Sequence, residues 1–219
     1  MANGRYWLRH ALALGLTSVA LVGCALGNGR GVQPVVAHLT ADSPNIRVER
    51  AGQSVPYSPG MPLRRGDGVR TGSATYATIQ FTDGNIVYLR NDSSVEVGSI
   101  RLFFGEIFNA IYRIAGGGSA TYTNDLSAAA ETTMFLVNTD ASGRGTTVTV
   151  LDGIVRCSPL RGSLWSEVRL GRNQQITATR ARSTIRVVDA RQAAQWVDEA
   201  ARRLNRRSPL PPRSPGVIP

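Results

Sequence analysis

The chain has 219 residues, 18 % of them charged, and a formal charge of +10 at pH 7. That length suits one sizeable core, or one domain with tails. Every basic residue is Arg, and two Cys and two His are too few for a disulfide framework and leave little for a zinc site.

Residues 1–23 read as a signal peptide. Arg5 and Arg9 form a basic start, and Ala11–Leu21 is an apolar run too short to span a bilayer as a helix. Leu21-Val22-Gly23-Cys24 follows and resembles the lipobox of bacterial lipoproteins. The resemblance implies cleavage after the small Gly23 and diacylation of the Cys24 sulfur. Cys24 is therefore the expected lipidation site, and membrane attachment through that lipid is expected. The expected location is the cell envelope, facing the periplasm, and Ala25 after the cysteine favours the outer over the inner membrane. Nucleic acid is not an expected partner of an exported protein. With Cys24 acylated, Cys157 has no partner in the chain and reads as a small buried apolar side chain.

Residues 24–45, rich in Gly, Ala, Pro and Asn, read as a tether. From 46 to 188 short strands alternate with turn residues, the pattern of an all-β domain. In Ala77–Leu89 the Asp83-Gly84 pair signals a two-residue hairpin. That turn pairs Phe81 with Ile86 and Ile79 with Tyr88 on one face. Thr146–Cys157 repeats the pattern around Asp152-Gly153, pairing Val150 with Val155 and Val148 with Cys157, which hints at an internal repeat and points Cys157 into the core. Further strands are expected at Ile46–Glu49, Arg101–Ile111, Met134–Asn138, Glu167–Leu170, Gln174–Thr179 and Thr184–Val188. Arg113–Ser127, with three consecutive glycines, reads as a loop.

Residues 189–207 read as an amphipathic helix. Asp189 is its N-cap, and Ala193, Trp196, Val197, Ala200, Ala201 and Leu204 form one apolar stripe. Asp198–Arg202 and Glu199–Arg203 are spaced as i,i+4 pairs. Residues 208–219 are Pro-rich and read as a disordered tail. Five Arg (202, 203, 206, 207, 213) and no acid follow Glu199.

The stretch from Pro62 to Glu106 carries Gly66-Asp67, Val69-Arg70-Thr71-Gly72, an alternating strand to Asp83-Gly84, Val87-Tyr88-Leu89 and a polar turn at Ser94. Ala130–Val137, Thr147–Val155 and Val168–Gln174 follow. In this order they resemble the FecR domain over roughly 46–180, with Thr132 standing where that family usually has Gly. The resemblance implies a periplasmic β module without catalysis that binds envelope proteins. Only ten residues precede the apolar run, so the cytoplasmic anti-sigma domain of the iron-uptake regulators is not expected.

No catalytic set emerges. His10 lies in the signal segment and His38 in the tether, so neither Ser-His-Asp nor Cys-His chemistry assembles. Asp67, Asp83 and Asp152 adjoin Gly, where turn chemistry accounts for them. Asp67, Asp83, Asp92 and Glu96 are oxygen donors without a calcium-loop spacing. No catalytic residue, cofactor or metal site is expected.

The expected fold is all-β, a compact two-sheet β roll or short β-solenoid of hairpins with one C-terminal α-helix. The expected function is a non-enzymatic protein-interaction or sensing module of the cell envelope. An envelope protein is the expected partner, with contact candidates Arg64, Arg65, Arg70 and Arg90. The alternative is a cell-wall or polysaccharide-binding module using Tyr76, Tyr88 or Trp165. The sequence specifies neither the partner nor the oligomeric state.

Overall fold

The computed structural model describes residues 33–112, 119–142, 144–206 and 209–210. The expected signal segment, Cys24, and all of the Pro-rich tail except Pro209 and Leu210 lie outside the described residues.

The described residues form a mostly β fold with a C-terminal helix. The strands are β1 (Val35–Ala41), β2 (Ile46–Arg50), β3 (Gln53–Val55), β4 (Met61–Arg64), β5 (Gly68–Thr71), β6 (Ala77–Phe81), β7 (Ile86–Leu89) and β8 (Ser94–Glu96). There follow β9 (Arg101–Ala110), β10 (Ser119–Tyr122), β11 (Leu126–Thr139), β12 (Thr146–Pro159), β13 (Val168–Leu170), β14 (Gln174–Ala178) and β15 (Ser183–Val187). All belong to one hydrogen-bonded sheet that branches. β9 is the branch point. Its second half lies between β7 and β11, while its first half pairs β8, from which β5, β2 and β3 follow.

The central strands bury both faces. Val87, Leu89, Ile107, Phe135 and Val137 enter the main core, while their neighbours Tyr88, Phe108 and Leu136 point the other way, toward the helix. Strands covered on both sides read as continuous apolar runs, which explains Ile86–Leu89 and Met134–Val137. Burying each such side chain stabilises the fold by about 1.5–3 kcal/mol.

Both Asp-Gly readings need correction. At the first, Gly84 N–H donates to Phe81 O at 3.0 Å and Phe81 N–H to Asn85 O at 2.9 Å, so the loop has three residues, 82–84. Gly84, at φ +92°, takes the left-handed position of such a loop. The register moves by one: Ile79 faces Val87, and Thr78 faces Tyr88. A one-residue shift changes the face of every side chain on the partner strand, so Tyr88 lies under the helix.

At the second, Asp152-Gly153 makes no hairpin. β12 runs through it as one strand paired along β11, with Val150 opposite Phe135 and Val155 opposite Ala130. The register slips between Glu131 and Phe135, opposite Asp152-Gly153. An extra residue on a strand restores the inward face after an odd step. The bulge therefore lets Val150 and Val155 both face the core, and it imitates a hairpin in sequence. With one hairpin and one bulged strand, the two segments are not structural repeats.

Three further boundaries differ. Val35–Ala41, read within the tether, is a strand between β4 and β6, with Ala37 and Leu39 fully buried. The expected loop 113–127 contains β10 and the start of β11. Thr146 Oγ1 lies 2.8 Å from Thr123 Oγ1 and 3.0 Å from the buried Asp125 Oδ2, which ties the 123–125 turn to β12. The helix is broken at Ala194 into α1 (Ala190–Ala193) and α2 (Gln195–Arg203). Asp189 caps it as expected, accepting from Gln192 N–H at 3.1 Å. The break rotates the stripe, so Ala190 and Ala194 are buried and Ala193 is exposed.

Candidate interaction surface

Of the four arginines singled out by sequence, Arg90 has a defined structural role. It pairs with Glu106 at 2.6 Å and lies 5.8 Å from the Trp196 ring centre. Trp196 stacks on Tyr76 with ring centres 6.0 Å apart. On the far side Arg203 lies 4.9 Å over Tyr76, pairs with the buried Asp42 at 2.6 Å and donates to Ala74 O at 2.8 Å. Two cations thus hold the stack that fixes α2 to the sheet. Burial raises the Tyr76 hydroxyl pKa, and Glu199 adds to the shift. The sequence places Arg203 in a basic tail and spaces it to pair with Glu199, which it meets only at 3.8 Å. Asp198 pairs with Arg191 at 3.2 Å. Nothing in the sequence linked Asp42 to Arg203 across the chain.

Arg70 is exposed and lies 5.0 Å over Phe104. It sits directly opposite Arg47 on the neighbouring strand. Like charges placed opposite one another disfavour a sheet, so the Arg47–Arg70 pairing itself does not stabilise it. Both border a groove of about 390 Å³ that also takes in Glu49, Ser94, Glu96 and Phe103. Arg65 is exposed and Arg64 half-buried, at the turn before Asp67.

Asp67 is structural. It is buried, pairs with Arg50 at 2.7 Å and accepts from Arg64 N–H at 2.8 Å. The bond to Asp67 raises the Arg50 pKa. Asp83 accepts from Asn85 N–H at 2.9 Å, and Asp92 from Asn91 Nδ2 at 2.8 Å. Among the described residues no three His, Cys, Asp or Glu side chains gather to hold a metal ion. His38 lies on the exposed face of β1.

The aromatic candidates for sugar stacking are packed. Tyr76 and Tyr88 are buried, and Trp165 is half-buried with Nε1 donating to Thr179 O at 2.8 Å. Tyr88 meets Phe108 edge to face at 6.2 Å. A larger groove, about 510 Å³, opens over the β11–β12 kink between Glu131, Ile154, Arg156 and Arg169. Cys157 is a free thiol buried in the main core, its pKa pushed up to about 12 by burial and by Glu167.

Residues 67–156 match a family model described as FecR protein. The matched stretch occupies the centre of the described fold. Its limits lie inside the 46–180 read from sequence. It takes in β5, β7, β9 and the whole β11–β12 kink, and leaves out β1, β14, β15 and the helix. Two crystal structures, at 1.65 and 2.50 Å resolution, of a candidate anti-sigma factor from Parabacteroides distasonis share the fold. Each is 18 % identical with a TM-score of 0.53, over 60 % of this chain and 64 % of that one. No curated protein sequence matches the chain.

Thr132, where the resemblance expects Gly, has a backbone that favours Gly. Thr132 has φ +46°, a left-handed backbone opposite Gly153 at φ +82°. The matched stretch thus bends here on both strands.

Proposed function

We propose that this protein is a non-catalytic interaction module of the bacterial cell envelope, anchored by lipid at Cys24. It senses or relays a state by binding another envelope protein. The observation that carries this reading is the FecR match over 67–156. The name of the Parabacteroides relative suggests a regulatory role of the same kind. The surface fits the reading: the exposed Arg47 and Arg70 border a shallow groove, while Tyr76, Tyr88 and Trp165 are used in packing.

The test is crosslinking of the acylated protein in envelope fractions, followed by recovery of its neighbours. Recovery of one receptor or exporter is expected. Recovery of glycan alone would replace this reading with wall binding. For the anchor, Cys24→Ala is expected to leave the membrane fraction; a variant that stays there, processed as before, ends the lipid claim.

A further inference from the structure

Among the described residues β15 ends the sheet, and no strand pairs with its outer edge. The opposite end, β4, carries Pro62, and the side strands β3 and β13 have three residues each. Proteins commonly blunt free edges with such devices. β15 has five residues, no Pro and no register slip against β14.

The hydrogen-bond phase shows which groups are free. Val188 N–H donates to Asn173 O at 2.9 Å, and Thr179 N–H to Arg182 O at 2.9 Å. In an antiparallel pair, inward bonding alternates along the strand. With Arg186 opposite Gln175 and Thr184 opposite Thr177, the even-numbered residues 182–188 bond β14. Ser183, Ile185 and Val187 therefore aim their N–H and C=O groups outward. Ile185 is 46 % exposed and Val187 80 %. Their side chains share one face. The surrounding segment is basic: residues 168–188 contain Arg169, Arg172, Arg180, Arg182 and Arg186 and no acid.

We propose that β15 takes an extended acidic segment of a partner protein as an added strand, a refinement that rests on the interaction reading above. The main chain of the segment bonds Ser183, Ile185 and Val187. Apolar side chains at alternate positions cover Ile185 and Val187, and its carboxylates meet Arg180, Arg182 and Arg186. A second copy of this chain is the poorer occupant, because it brings these same arginines together.

The test uses the purified full chain and a fluorescent peptide of alternating Glu and Val, with a Lys/Val peptide as control. Anisotropy is expected to show binding of the Glu/Val peptide that weakens with salt, and none of the control. Ile185→Pro removes an outward N–H and keeps every bond to β14, so it is expected to weaken binding about tenfold or more with an unchanged melting curve. Arg182→Glu is expected to weaken binding without touching the ladder. Wild-type affinity in both variants, or equal binding of the control, overturns the proposal. A wild-type dimer in sedimentation that Ile185→Pro dissociates overturns it in favour of self-pairing. Crosslinking separates the two levels. A partner held by wild type and by Ile185→Pro alike removes the edge but leaves the interaction reading, whereas no partner for wild type removes that reading too.

Discussion

At the residue scale, Thr132 and Gly153 test the kink. A β-branched residue in the left-handed region is strained, at about 1–3 kcal/mol. Thr132→Gly is expected to raise stability by about 1 kcal/mol, as the relief of strain exceeds the entropic cost of Gly. Gly153→Ala is expected to lower it by about 2 kcal/mol or more, because its Cβ would sit 2.8 Å from Thr133 Oγ1 and 2.9 Å from Thr132 O at a positive φ. Urea unfolding of the pair measures both. Cys157 gives a pH dependence. Its thiol ionises near 12 in the fold, against its ordinary value of 9.0 when unfolded. Above pH 9 the unfolded chain holds fewer protons than the native one, so stability falls as pH climbs toward 12 and is fully present below 9. Cys157→Ala is expected to flatten that decline in melting temperature without removing it, since Tyr76, Tyr88 and Tyr112 are also raised by burial.

At the element scale, α2 and the sheet are held by side chains from distant segments. Trp196→Ala removes the ring between Tyr76 and Arg90 and is expected to cost about 3–5 kcal/mol by thermal unfolding. Arg203→Ala leaves the Asp42 carboxylate buried beside Tyr76 N–H alone and is expected to cost about 1–3 kcal/mol. The helix itself was legible: its cap and apolar spacing stand in adjacent residues. Its break at Ala194 was not, because the spacing of small residues tolerates either phase. β12 was legible as apolar strand residues but not as one strand. Asp-Gly favours both a hairpin and a left-handed bulge, and only the presence of β11 along its whole length selects the bulge.

At the scale of the whole molecule, the N-terminal boundary is the strongest prediction. β1 supplies Ala37 and Leu39 to the core and the only neighbour of β4 among the described residues. A chain begun at Ile46 is expected to lose cooperative unfolding and bind a hydrophobic dye, and one begun at Gln33 to keep its melting transition. The alternation of Ala37 and Leu39 was present in the sequence, but four positions beside Pro34 and a Gly-rich stretch do not identify a strand until β4 and β6 flank it. The sequence by itself determined the β class and the helix cap, because each rests on neighbouring residues or on periodicity. Cys157 is inward as expected, but through the bulge in β12 rather than the hairpin that suggested it. Only the tertiary structure decided the register of β7, the continuity of β12, the Asp42–Arg203 pair and the open edge at β15. Those depend on which strands lie side by side, and strand pairing is set by long-range burial that no local segment encodes.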